Sequence, residues 1–242
     1  MKAKHLVLSS LVCLLLLLCC GAAQALTIAA GAGYRRPVSE LAQRFQAETG
    51  IQVDLVFGNM GQVISQIQGG APVDLMLGDR AFLQKSGLAV VSISELGQGR
   101  MVLAWAKGGR LDSPQDLTQP AIKRLALPDP AKAVYGQAGR QFLERAGLSQ
   151  AVREKLLVVG AVPQVSTYLI SGEVDAGLLN LTDVLGIQDK IGGYLLIDPG
   201  LYDPIQIVVG LLASAPQAEE GRRFLAFLAS PEARRIVAAH GL

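Results

Sequence analysis

Two short glycine turns hold the residues best suited to chemistry: Gly31-Ala32-Gly33, leading through Tyr34 to Arg35 and Arg36, and Gly58-Asn59-Met60-Gly61. Each follows an apolar run and precedes an amphipathic one, where a strand gives way to a helix. The first backbone N–H groups of a helix lack partners and its N-terminus carries roughly half a positive charge, so such turns receive anions. Glycine lets a ligand approach the backbone closely, although the same glycines also serve simply to make tight turns. Arg35 and Arg36 place two cations at a helix start, which costs about 0.3–1 kcal/mol against the helix dipole. An anion in the turn would offset that cost; alternatively, both guanidinium groups point into solvent and are screened. Asn180, after the apolar run Ala176–Leu179, and Tyr135, in the stretch 129–136 ahead of a helical pattern, are further polar candidates. Asn180 would serve equally as a helix cap, and Tyr135 as core or rim packing.

Other chemistries find little support. A dinucleotide fingerprint that starts at Gly31 needs a small third residue at position 36, where Arg36 stands. No Gly-Lys-Ser or Gly-Lys-Thr supplies a nucleotide phosphate loop, and no Gly-x-Ser-x-Gly elbow supplies a nucleophile. Cys13, Cys19 and Cys20 all precede residue 25, and His240 is the one histidine beyond it. Neither a thiolate nor a histidine metal centre is therefore expected, nor any cofactor or catalytic residue.

The elements that would position these turns begin after a secretory signal. Lys2 and Lys4 precede an apolar run, and Ala23-Gln24-Ala25 supplies a small-x-small cleavage pattern that starts the mature chain at Leu26. The apolar stretch Leu11–Cys20 is too short to span a bilayer, which takes roughly 20 residues; a lipid anchor on Cys19 or Cys20 is the lesser alternative. Losing Lys2 and Lys4 brings the 22 Lys and Arg level with the 20 Asp and Glu, a balance that argues against nucleic acid or an anionic membrane as partner. Leu26–Ala30 reads as a buried parallel strand. Val38, Leu41, Ala42 and Phe45 then fall on one helical face, with Pro37 at a first helical position and Gly50 past the end. The alternation repeats through strands at Val53–Phe57, Val73–Leu77, Met101–Ala106, Arg124–Leu127, Leu156–Val159, Ala176–Leu179 and Ile205–Leu212. Helices are expected near 139–146, 164–171, 217–228 and 231–239. Strands alternating with helices imply an α/β fold built on mostly parallel sheets.

Several runs carry a resemblance: Leu26–Ala32, Leu41–Phe45 with Glu48-Thr49-Gly50, Gln66–Leu75, Asp129-Pro130, Ser171–Gly177 and Thr182-Asp183. Together they resemble the periplasmic molybdate-binding proteins of ABC importers, over nearly all of Leu26–Leu242. The resemblance implies a two-lobed periplasmic binding fold, with residues 26–103 plus 206–242 as one lobe, 104–205 as the other, and two strands crossing between them. It implies a small anionic ligand captured between the lobes and handed to a membrane permease by a monomeric, non-enzymatic periplasmic protein. The alternative is an interaction or sensor protein on the same fold without transport. The family's two serine hydroxyls and one tyrosine hydroxyl fall on Gly33, Met60 and Asn180, and its two backbone donors on Tyr135 and Val162. With every family hydroxyl replaced, the resemblance leaves a changed ligand as the expectation. The added arginines and tyrosine suggest a larger organic or phosphorylated anion.

Overall fold

The computed structural model describes residues 25–242, so the expected signal, apart from Ala25, and Cys13, Cys19 and Cys20 lie outside the described residues. Strand β1 (Leu26–Gly31) passes through a 3-10 turn (Ala32–Tyr34) into helix α1 (Arg35–Thr49). The helix starts two residues before Pro37, which a first-turn position tolerates because its missing N–H has no helical partner to lose. Gly50 ends it in the left-handed conformation, φ 74°. The buried face is the one the spacing anticipates, Val38, Leu41, Ala42 and Phe45.

Strand β2 (Val53–Gly58) then leads to α2 (Met60–Gln68), and β3 (Leu75–Asp79) to the short α3 (Arg80–Lys85) and β4 (Val90–Gly99). After one residue, Arg100, the chain enters β5 (Met101–Trp105), followed by β6 (Leu125–Pro128), α4 (Val134–Arg145), α5 (Ser149–Val152) and β7 (Leu156–Val159). Next come α6 (Val162–Ser171), β8 (Ala176–Asn180), α7 (Leu181–Leu185) and β9 (Gly193–Leu196). The chain closes with β10 (Ile205–Leu212), α8 (Ala218–Leu228) and α9 (Pro231–Ala239).

The strands form two five-stranded sheets, ordered β2-β1-β3-β10-β4 and β7-β6-β8-β5-β9. Both follow one plan: three parallel strands, then two antiparallel pairings. Each sheet anchors one lobe. The chain crosses at Arg100 and returns over residues 197–204. The first crossing falls earlier than expected, because all of β5 pairs with β8, from Met101 opposite Asn180 to Trp105 opposite Ala176. Met101, Val102 and Leu103 thus lie in the second sheet, and Ile205 already pairs in the first.

The last two helices return to the first lobe. Phe45 meets Phe224 and Phe227 at centroid distances of 5.1 and 5.6 Å, tying α1 to α8. Such aromatic pairs add about 0.5–1.5 kcal/mol each beyond burial. Parallel strands point their carboxyl ends the same way, so the turns after β1, β2, β6 and β7 all face the gap between the lobes, where ligands of open α/β sheets bind.

Candidate ligand-binding site

A cavity of about 30 Å³ lies in that gap, lined from one lobe by Gly31, Ala32, Gly33, Tyr34, Gly58, Asn59 and Met60. The other lobe contributes Ala133, Val134, Tyr135, Ala161 and Val162. These residues are the N-terminal ends of α1, α2, α4 and α6. Four helix dipoles therefore converge on one small space, each contributing roughly half a positive charge. No charged side chain stands in the wall. Among the described residues, the backbone N–H groups of Met60, Tyr135 and Val162 meet no protein acceptor, as expected of first-turn amides. They are ready-made donors. Clefts that hold drug-sized ligands measure about 300–1,000 Å³, so the closed space suits a compact ion.

Contacts between the lobes hold this space shut. Asn59 caps α2 by accepting from the Gln62 N–H, and the Gln62 side chain accepts in return from the Asn59 N–H. That leaves the Asn59 amide nitrogen free to donate across the gap to the Gly160 carbonyl at 3.0 Å. The Gly61 N–H donates to the Lys132 carbonyl, also at 3.0 Å. Gly61 is thus part of the closure and not of the cavity wall.

The arginines do not enter the cavity. The Arg35 guanidinium lies 4.2 Å from the centroid of the Phe57 ring, a cation–π contact on the first lobe. Arg36 crosses to the second lobe, donating to the Asp183 carbonyl oxygen at 2.8 Å and standing 3.5 Å from its carboxylate. Both find partners within the protein, so neither needs a ligand to offset its position at the helix start. The case for a larger anion drawn from these arginines loses its basis.

Tyr135 also turns its side chain elsewhere. Its hydroxyl hydrogen-bonds to that of Tyr34 at 2.8 Å, buried between the lobes. It fills the space beside Gly99 so closely that a β-carbon there would stand 2.3 Å from the oxygen. Burial pushes both hydroxyls up from their ordinary range, so each keeps its proton near neutral pH. Met60 packs its thioether over Gly78, where a β-carbon would come within 2.6 Å of the sulfur. At this position the wall is apolar.

Asn180 is fully buried at the start of α7, yet its side chain caps nothing. Its nitrogen instead donates to the Gly33 carbonyl across the gap at 2.9 Å. The amide fills the space a side chain at position 33 would need: a β-carbon on Gly33 would lie 3.1 Å from Oδ1 and 3.3 Å from the Val162 β-carbon. Gly33 and Asn180 thus form one unit. Oδ1 itself has no partner, an omission that costs about 1–3 kcal/mol for a buried polar atom.

Sequence reasoning overlooked Asp183. It is buried, accepts a hydrogen bond from the Ser166 hydroxyl and receives Arg36. Burial pushes its carboxyl up, against the lowering effects of Ser166 and Arg36. The Thr182-Asp183 pair is visible in the sequence, but nothing local shows that its partner lies on α1.

The whole stretch 26–242 matches the model of a family described as bacterial extracellular solute-binding proteins. The chain belongs to that family. Within it, a molybdate-binding protein of Azotobacter vinelandii is 31% identical over 233 residues, covering 93% of this chain and 92% of the relative. A molybdate-binding protein of Rhodobacter capsulatus is 28% identical, covering 88% and 86%. The solved structure of the Azotobacter vinelandii periplasmic molybdate-binding protein superposes with a TM-score of 0.82 at 26% identity, over 89% of this chain and 97% of that one. The two-lobed fold of this solute-binding family is therefore the fold seen here.

Proposed function

We propose that the protein captures a small tetrahedral oxyanion between its lobes and delivers it to the membrane permease of an ABC importer. The observation that carries this reading is the convergence of four helix N-termini on one compact cavity whose wall holds no charged side chain. Partial charges fixed in the backbone attract an anion without forming the tight ion pair that would hinder its release. The molybdate-binding relatives support the oxyanion class. The export signal in the sequence and the family support a periplasmic carrier freed from its first 25 residues, read here as a monomer. The reading is of a binder without chemistry: the Tyr34 and Tyr135 hydroxyls bond to each other between the lobes, and burial keeps them protonated and unfit as bases.

A melting-temperature panel on the chain from Leu26 onward tests this, with molybdate, tungstate, sulfate, phosphate and arsenate beside small carboxylates and neutral sugars. A ligand at 100 times its Kd adds about 2.7 kcal/mol. A shift of several degrees with at least one oxyanion is expected. Silence to every oxyanion, with a response to a neutral solute, would refute the reading.

A further inference from the structure

Resting on the reading of capture between the lobes, a second feature of the gap bears on how tightly a ligand is held. Arg36 lies outside the cavity wall, yet it makes the one ion pair between the lobes among the described residues. It sits in the first turn of α1 and reaches the far end of α7. There Nη1 donates to the Asp183 carbonyl oxygen at 2.8 Å and stands 3.5 Å from the carboxylate Oδ1. The other carboxylate oxygen, Oδ2, accepts from the Ser166 hydroxyl, which leaves Oδ1 for the guanidinium.

A missing side chain completes this socket. Gly186 follows α7 at φ −85° and ψ −2°, a conformation open to any residue, so the backbone does not call for glycine there. The guanidinium does: a β-carbon at Gly186 would stand 1.9 Å from Arg36 Cζ and Nη1. Because α1 belongs to one lobe and α7 to the other, the hinge rotation that admits a ligand draws the guanidinium out of the socket, and closure returns it. The contact favours the closed arrangement whatever the cavity holds. A ligand that binds the closed arrangement has its apparent affinity scaled by the population of that arrangement.

We propose that Arg36, seated against Asp183 and Gly186, is a latch that sets affinity from outside the ligand site and acts equally on every ligand. Gly186 keeps the seat empty, and Ser166 holds the carboxylate in place. Arg36 is then a positioning residue: it touches the opposite lobe and not the ligand.

Two facing positions give a readout of closure that needs no ligand. A β-carbon at Gly61 would lie 3.2 Å from that of Lys132 across the gap, close to the roughly 3.5–4.5 Å found in disulfides, and the chain from Leu26 onward contains no cysteine. In that chain carrying Gly61→Cys and Lys132→Cys, the rate of disulfide formation at a fixed oxidant concentration reports the closed population. Adding Arg36→Ala should slow it by about fivefold or more. Gly186→Ala, which evicts the guanidinium, should slow it similarly, with little further effect when the two are combined; it also serves if Arg36→Ala fails to fold. A rate unchanged by these substitutions overturns the latch. Calorimetric titration without the cysteines, using molybdate, sulfate and phosphate, gives the second arm. Arg36→Ala should weaken every ion that binds, with the ratios between ions held within about twofold. Unchanged affinities, or a loss confined to one ion, would overturn this inference and leave oxyanion capture standing. If none of the three ions binds the parent chain, the oxyanion reading falls and the disulfide rate still decides the latch.

Discussion

Replacing Val162 by proline isolates one backbone N–H from everything else in the site. Val162 is the first residue of α6, the position where proline's missing N–H breaks no helical bond. The preceding Ala161 is already extended, φ −157° and ψ 164°, as a residue before proline should be. The helix should therefore survive Val162→Pro, while the donor facing the cavity disappears. A hydrogen bond to a charged partner contributes about 1.5–3 kcal/mol, which is roughly a tenfold to 150-fold loss of affinity. Calorimetric titration with the tightest-binding oxyanion reads this loss, and the melting temperature of the ligand-free variant checks the helix. Val162→Ala keeps the N–H and only thins the packing against Gly33, so it should cost less than threefold. Affinity within twofold of the parent, in a proline variant that melts normally, would refute the assignment of this amide to the ligand.

The closure contacts give further expectations. Gly99→Ala drives a β-carbon to 2.3 Å from the Tyr135 hydroxyl and 2.7 Å from Ile205; it should destabilise by about 1–3 kcal/mol in thermal melting, and adding Tyr135→Phe should recover part of the loss. Gly33→Ala and Asn180→Ala should be non-additive by at least about 0.5 kcal/mol, because one amide fills the space of both; strict additivity in denaturant titrations would deny the pairing. Asp183 has its carboxyl raised by burial, so its contribution to stability is complete below the unfolded value of about 3.9 and is lost as pH rises through the higher folded value. Asp183→Asn should accordingly gain melting temperature relative to the parent as pH climbs from about 4 toward neutrality, and a difference that stays flat with pH would contradict the assigned shift.

Much of the architecture was legible because burial imposes periodicity. The α1 face from Val38 to Phe45 and the runs that became β1 and β2 followed from spacing alone. Strand β4 was invisible for the converse reason: as an edge strand it is mostly exposed or half-exposed from Val91 to Gln98, so it shows no clear apolar alternation, and pairing with β10 holds it. Strand β9, also at an edge, was missed likewise. Helix α4 starts at Val134, several residues earlier than its pattern suggests, because Gly136 and Gly139 weaken the local helical signal. Both glycines answer to packing: a β-carbon would meet the Pro128 carbonyl oxygen at 2.3 Å and the Leu127 side chain at 2.4 Å.

At the site, the two glycine turns could be located from the sequence, and Tyr135 and Val162 were pointed to only by the family resemblance; the directions of side chains could not be read at all. Arg35 and Arg36 are adjacent, yet one stacks on Phe57 and the other reaches Asp183 across the gap. These partners come from other elements, and no local pattern encodes them. The bond between Asn180 and Gly33 is equally remote in sequence.

The placement of β10 has a consequence for biogenesis. It lies between β3 and β4 in the first sheet, although the whole second lobe separates it from both along the chain. Until this segment arrives, β4 has no partner and β3 offers an open edge. A chain threading out through a membrane from its N-terminus thus cannot finish its leading lobe early. Long-range pairing of this kind is slow to form, and here it couples the leading lobe's completion to emergence of the tail. The first sheet is therefore complete only once the last segments of the chain are available to pair.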